Sequence, residues 1–323
     1  MEDSGQRGPI SERLLVLGVD GVVGANLALT LADRFRVLGL CRARAIALEG
    51  CEMVPWAVSD GAALEALVRR HRPRWIICCG PLASSSWDVP QPPFDAQQEA
   101  ATVWGLAGLA AGLGSHLTVI STDAVFAGPR MFHGEGHPAG SLRPFAQAAR
   151  HVEQALRPDD ALMVRTHAYG WSPPGVEPGF AEQAWRSLVE GSACPLDPHR
   201  HATPILAADL AELLLVAYQR RLRGLYHVAG TERTSAYHFA NELAAAFGLQ
   251  HHLDRAADEP LRPLDWGHLD ETSLDTRRAR RALDRAMPML REGLDRFAEQ
   301  AANGFRARLQ RPPPSAMLRG DAA

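Results

Sequence analysis

With 323 residues and a formal net charge of −3, the chain is long enough for one large α/β unit with a smaller lobe, and it offers no electrostatic case for nucleic acid or an anionic membrane. A hydrophobic fraction of 46% with 22% charged residues argues against disorder, and the polar lead MEDSGQRGPI lacks the apolar run of a signal peptide. The longest apolar stretches, such as LAELLLVAY (210–218), are about half a membrane span, so the cytoplasm is the expected compartment.

After a lead expected to be disordered (1–11), RLLVLG (13–18) reads as a buried strand and VVGANLALTLADRF (22–35) as a helix. RVLGLCR (36–42) is the next strand, and the helix GAALEALVRRH (61–71) leads into the strand RWIICCG (74–80). A Pro- and Ser-rich loop, PLASSSWDVPQPP (81–93), precedes an Ala-rich helix over about 95–113 and the strand HLTVIST (116–122). A helix around 145–156 is followed by the strand ALMVRTHAYG (161–170).

Strands alternating with helices predict the α/β class, a Rossmann-type doubly wound parallel sheet with helices on both faces. That domain is expected over 12–170, with a returning strand in GLYHVAG (224–230). A smaller substrate-binding lobe takes most of 171–307, including the amphipathic helix in SAYHFANELAAAFGL (235–249), with Ser235 as its cap. A disordered tail is expected over 308–323.

Cys41, Cys51, Cys78, Cys79 and Cys194 contain no CxxC pair, and their odd number gives no disulfide framework. The histidines form no persuasive metal set, so no metal is expected. All 34 basic residues are arginines, so no lysine ammonium can form a Schiff base or assist a catalytic tyrosine.

VLGVDGVVGANL sets Gly18, Gly21 and Gly24 in a GxxGxxG arrangement between the first strand and helix. Glycines there allow a tight turn and close backbone approach, and the helix start at Val22 and Val23 meets a pyrophosphate with its N-terminus. The second strand ends in GLCRAR, where Arg42 and Arg44 stand in place of the Asp or Glu that holds an NAD ribose. NADP(H) is therefore favoured over NAD(H), although either arginine is equally compatible with a solvated surface. Asp60 is expected near the adenine, and Cys79 and Gly80 along the dinucleotide cleft.

The chain resembles the extended short-chain dehydrogenase/reductases, most closely the dTDP-4-dehydrorhamnose reductase-like branch, which includes the regulatory β subunit of methionine adenosyltransferase. The resemblance is carried by the glycines, ISTDAVFAG (120–128), HVEQAL (151–156), MVRTHAYG (163–170), TPILAADLAELL (203–214), GLYHVAGTERTSAYHFANELAAAFGL (224–249), RP (262–263) and SLDT (273–276). It implies hydride transfer to a nucleotide-linked keto sugar, with a Ser or Thr on the carbonyl and a Tyr in a YxxxK pair as proton donor. A tyrosine near its usual pKa of about 10 needs such a cation to act at neutral pH. Carried over, the carbonyl position falls on Thr122, while Phe145 and Ala149 stand at the Tyr and Lys positions. A shift by one residue brings Arg150 to the Lys position but puts Ala146 at the Tyr position, so no register restores the pair.

His133, His137 and Tyr169 are the candidate substitute donors, although the histidines read more readily as solvated or structurally satisfied loop residues and Tyr169 as a packing residue. Thr122, Asp123, Thr203 and Arg262 match the sugar side of the implied pocket. Trp87, in a loop unlike the family's, either packs, reshapes the pocket or faces a partner. Two readings follow. One is an NADP-binding pseudoenzyme with a regulatory role, whose partners are a protein or a second copy of the chain, and whose ligand is a nucleotide-linked sugar or related small molecule. The other is an NADPH-dependent nucleotide-sugar 4-ketoreductase with a displaced proton donor.

Overall fold

A computed structural model describes residues 12–42, 45–57, 59–88, 93–192, 197–250 and 271–309. The strands are β1 (Arg13–Leu17), β2 (Arg36–Cys41), β3 (Cys51–Pro55), β4 (Trp75–Cys78), β5 (His116–Thr122), β6 (Leu162–Thr166), β7 (Ala168–Tyr169), β8 (His201–Ala202), β9 (Ile205–Leu206), β10 (Gly224–His227) and β11 (Thr234–Ser235). The helices are α1 (Val22–Leu31), α2 (Gly61–His71), α3 (Ala96–Leu113), α4 (Pro144–Glu153), α5 (Phe180–Glu190), α6 (Ala207–Gln219), α7 (Ala236–Phe247), α8 (Arg277–Leu283), α9 (Leu290–Ala302) and α10 (Phe305–Leu309).

Seven strands pair in parallel in the order β10-β6-β5-β4-β1-β2-β3, which makes this a Rossmann-type α/β fold. Successive side chains of a strand point to opposite faces, and the cores divide accordingly. Leu14, Val16, Trp75 and Ile77 face one layer, whereas Leu15, Leu17, Ile76 and Cys78 face the other. The order reverses between β1 and β4, so a crevice opens at their carboxyl ends.

Several sequence expectations are corrected. No strand is expected at β3, because only Met53 of its five residues is buried and an edge strand shows little hydrophobic pattern. ALMVRTHAYG divides at His167, where β6 stays in the large sheet and β7 pairs with β9. Arg308 and Leu309, assigned to the tail, lie in α10, where Leu309 is fully buried. Within 171–307, α6 and α10 pack on α1, and β10, in the stretch read as a returning strand, pairs with β6 in the large sheet. Ser235 does cap α7, accepting the His238 amide at 3.1 Å. Residues 1–11, 310–323, Arg44, Cys194 and Arg262 lie outside the described residues. No helix among the described residues is long and apolar enough to cross a membrane.

Candidate functional site

The β1–α1 turn is possible only with glycine at two points. Gly18 has φ +74°, and a Cβ there would sit 1.8 Å from the Cys79 carbonyl oxygen. A Cβ on Gly24 would lie 2.1 Å from the Gly18 carbonyl oxygen, so the first turn of α1 rests directly on the loop. Gly21 precedes α1 in extended conformation, and no side chain caps the helix. Its first amides therefore open, with their partial positive charge, toward whatever lies in front.

In front is a cavity of about 920 Å³ at the sheet's switch point, within the ~300–1,000 Å³ range of small-molecule sites. Gly18, Gly21, Val22, Val23, Gly24, Arg42, Cys79 and Gly80 all line it. Asp60 does not. Its carboxylate caps α2 by accepting the Ala63 amide at 2.8 Å, which holds it away from the cavity.

Arg42 lines the cavity but is not an unpaired cation. Its guanidinium makes two hydrogen bonds to the Glu99 carboxylate of α3, at 3.0 and 2.5 Å. Its backbone amide points at the Asp20 carboxylate, 3.0 Å from either oxygen. Acids thus surround a position that looks acid-free along the chain. Asp20 and Glu99 were missed, although Glu99 carries a legible signal. It shares a helical face with Thr102, Val103, Leu106 and Ala110, all buried, and a lone carboxylate on such a face needs a partner.

At the other end, Ala168, Tyr169, Gly170 and Phe180 bound the cavity. Asn26 of α1 braces this end, donating to the Val22 and Trp171 carbonyls, each at 2.7 Å. Tyr169 is 2% exposed and packed among Phe180, Phe239 and Phe297. Its hydroxyl is directed at α9, where a Cβ on Gly293 would lie 2.6 Å away. Burial, with the Asp209 carboxylate adding to it, pushes the phenol well above its ordinary pKa.

Of the expected sugar-side residues, Thr122, Asp123 and Thr203 do not line this cavity. Thr122 is fully buried, and its hydroxyl accepts the Ala124 amide at 3.0 Å, capping a short 3-10 turn. Asp123 is fully buried as well. Its carboxylate receives the Ser86 amide at 2.9 Å, the Ser86 hydroxyl at 2.6 Å, His167 Nδ1 at 2.7 Å and the Thr272 hydroxyl at 2.5 Å. Burial alone would raise the Asp123 carboxyl, but His167 and the two hydroxyls hold it below its ordinary value. Thr203 is buried and accepts the Leu274 amide at 3.2 Å.

The unusual loop explains this closure. Trp87 packs edge-on against His167, Phe180 and Phe239 and is 5% exposed, so it fills space rather than offering a surface. Asp88 anchors it by accepting the Phe180 and Ser85 amides, at 2.9 and 2.8 Å, and burial raises its carboxyl.

The histidine candidates are structural. His133 is 4% exposed, stacked on Phe126, with Nε2 on the Glu271 carbonyl at 3.1 Å, and burial lowers its pKa. His137 uses Nδ1 to accept the Gly134 amide at 2.9 Å and does not line the cavity. On α4, Phe145 is half-buried edge-on to Phe94, which lines the cavity, while Ala149 is fully buried in the second core layer. Arg150 donates to the Ser141 carbonyl at 2.6 Å. No group of three or more metal-ligating side chains occurs among the described residues.

Comparison with known proteins agrees with this architecture. The chain is 26% identical over 278 residues to methionine adenosyltransferase 2 subunit beta of Xenopus laevis, covering 82% of each protein. It is 27% identical over 234 residues to dTDP-4-dehydrorhamnose reductase of Streptomyces griseus, covering 71% of this chain and 70% of that one. A crystal structure of dTDP-4-dehydrorhamnose reductase from Bacillus anthracis in complex with NADP superposes with a TM-score of 0.67 at 20% identity, over 91% of this chain and 99% of that one. The RmlD substrate binding domain family matches residues 12–303, and the chain belongs to that family.

Proposed function

We propose that the protein holds a nicotinamide dinucleotide and serves as a regulatory or assembly subunit, not as a reductase. The observation that carries this reading is on α4. Where the family resemblance calls for a tyrosine–lysine pair, the helix bears Phe145 against Phe94 and a fully buried Ala149. Thr122, the carbonyl position, is buried in a backbone cap. The chain has four tyrosines and no lysine, and Tyr169, which lines the cavity, turns its hydroxyl toward α9.

The cavity fits a dinucleotide. The uncapped start of α1 suits a pyrophosphate, with the amides of Val22, Val23 and Gly24 as donors and Gly21 permitting close approach. Gly80, Arg42 and Glu99 would border the adenosine half, and Ala168–Gly170 with Phe180 the nicotinamide half. A bound nicotinamide supplies a hydride donor or acceptor, and what this chain withholds is a tuned proton donor beside it. Arg42 and Arg44 are the residues that recommend NADP(H) on sequence. A protein partner is supported by the relative named as a subunit of methionine adenosyltransferase.

A second reading, a nucleotide-sugar ketoreductase with a displaced donor, is favoured by Asp88, whose raised carboxyl lines the cavity. Both its oxygens already accept backbone amides, which makes it a poor proton shuttle. One assay separates the two readings: reduced-dinucleotide oxidation with dTDP-4-keto-6-deoxyhexoses, alongside an independent binding titration. Binding without turnover is expected. Turnover above roughly 1 s⁻¹, the low end of ordinary enzymes, overturns the proposal.

A further inference from the structure

The Arg42–Glu99 pair lies inside the cavity and is built into the fold. A Cβ on Gly80 would sit 2.2 Å from Glu99 Oε1 and 2.7 Å from Arg42 Nη1, so the pair covers the face of Gly80. The Glu99 side chain is 2% exposed and that of Arg42 14%. Arg42 is the sole cationic side chain among the described residues that line the cavity, against the carboxylates of Asp20, Asp88, Asp95, Glu99 and Glu177.

We propose that Glu99 is a specificity-determining residue that sets the cavity for NAD(H) and against NADP(H), by holding Arg42 in a neutral pair. The inference rests on the reading of the cavity as a dinucleotide site, and it reverses the preference drawn from Arg42 and Arg44 along the chain.

The physical reason is a competition for the one guanidinium that the described residues bring to the cavity. A ribose 2′-phosphate brings nearly two negative charges and needs a cation of its own. To give it Arg42, the protein must leave Glu99 buried without its partner, beside a new dianion, and breaking one side of a buried pair is strongly unfavourable. An unphosphorylated ribose asks for none of this. Its two hydroxyls are neutral donors, and the surrounding carboxylate oxygens are acceptors.

The test is calorimetric titration of the full-length protein with NAD⁺ and NADP⁺, repeated with 5′-AMP and 2′,5′-ADP to isolate the adenosine end. NAD⁺ is expected to bind at least tenfold more tightly than NADP⁺. In Glu99→Gln, which keeps the shape and removes the charge, the ratio of the two affinities should shift at least tenfold toward NADP⁺. Equal affinities, or a preference for NADP⁺ in the unmodified protein, overturn the proposal without any variant. An unchanged ratio in a folded Glu99→Gln overturns the role of Glu99. No binding of any of the four nucleotides overturns the dinucleotide reading itself, and this inference with it.

Discussion

The Glu153 carboxylate of α4 receives the Arg165 guanidinium of β6 through two hydrogen bonds, at 2.9 and 2.6 Å, and the Ser121 hydroxyl of β5 at 2.6 Å. Both charged side chains are largely buried, and Arg165 also lies over the Phe126 ring. The contact clamps the helix that carries Phe145 and Ala149 onto the sheet. Removing one side leaves the other charge stranded, so Glu153→Ala should lose about 3 kcal/mol of stability. Urea unfolding midpoints at a common slope check this. Asp160→Asn, which breaks the exposed pair with Arg157, should leave the midpoint in place.

Acid sensitivity should trace in part to His116, a fully enclosed ring at the start of β5. Neither of its nitrogens has a hydrogen-bond partner among the described residues, and its ring meets Tyr218 edge-on at 5.7 Å. Burial, with Arg223 and Arg221 nearby, lowers its pKa to about 4. A histidine depressed in the folded state stays neutral there while the unfolded chain takes up a proton near pH 6.5. Its contribution is therefore complete above about pH 6.5 and is lost as the pH falls toward 4.

His227, lowered to about 3 chiefly by burial, acts in the same direction. Asp209, raised to about 6 chiefly by burial, acts in the opposite direction, since the folded state takes its proton first. His116→Phe keeps the aromatic contact and removes only the His116 titration. Its stability relative to the unmodified protein should rise by about 2 kcal/mol between pH 7 and 4.5. A difference that stays flat with pH disproves the assignment.

Restoring the missing pair should not restore chemistry. Ala149 is 0% exposed and sits in the same layer as Val152, Leu117 and Val119. In the double variant Phe145→Tyr, Ala149→Lys, the new ammonium must enter that layer. A stability loss of at least about 2 kcal/mol is expected from overpacking and charge burial. Thermal denaturation measures that loss, and reductase activity should remain at the level of the unmodified protein. Appearance of turnover would mean that the remainder of a working site is intact.

The parts of this site that were legible in sequence are those fixed by local backbone demands. Gly18 and Gly24 announce themselves because nothing larger fits a tight strand–helix turn, and the alternating strands and helices give the sheet. The side-chain assignments failed where a distant residue decides the role. Thr122 ends β5 and Asp123 follows it, where a pocket could have opened, but Ser86, from a loop 37 positions before Asp123, bonds its carboxylate, and Trp87 packs on the His167 that bonds it too. Arg42 looked available because its partner lies 57 residues away, on a helix that nothing local links to the end of β2. His133 could be read along the chain as a donor or as structural, and the Phe126 ring and Glu271 carbonyl that hold it come from elsewhere in the sequence. Long-range burial reverses such readings, and local periodicity does not record it.

Two glycine-to-alanine changes should separate a glycine required by the turn from one that is merely tolerated. Gly108 lies within α3, and a Cβ there meets nothing within 4 Å. Gly108→Ala should stabilise the protein by roughly 0.5–1 kcal/mol, because glycine gives up more backbone freedom than alanine in a helix. Gly24→Ala drives a methyl to 2.1 Å from the Gly18 carbonyl, a backbone atom that cannot swing aside as a side chain would. The β1–α1 turn must open, which should cost about 1–3 kcal/mol and weaken dinucleotide binding at least tenfold by displacing the first amides of α1. Normal binding by Gly24→Ala would show that the ligand does not sit on this turn, since the amides that should grip its phosphates would have moved.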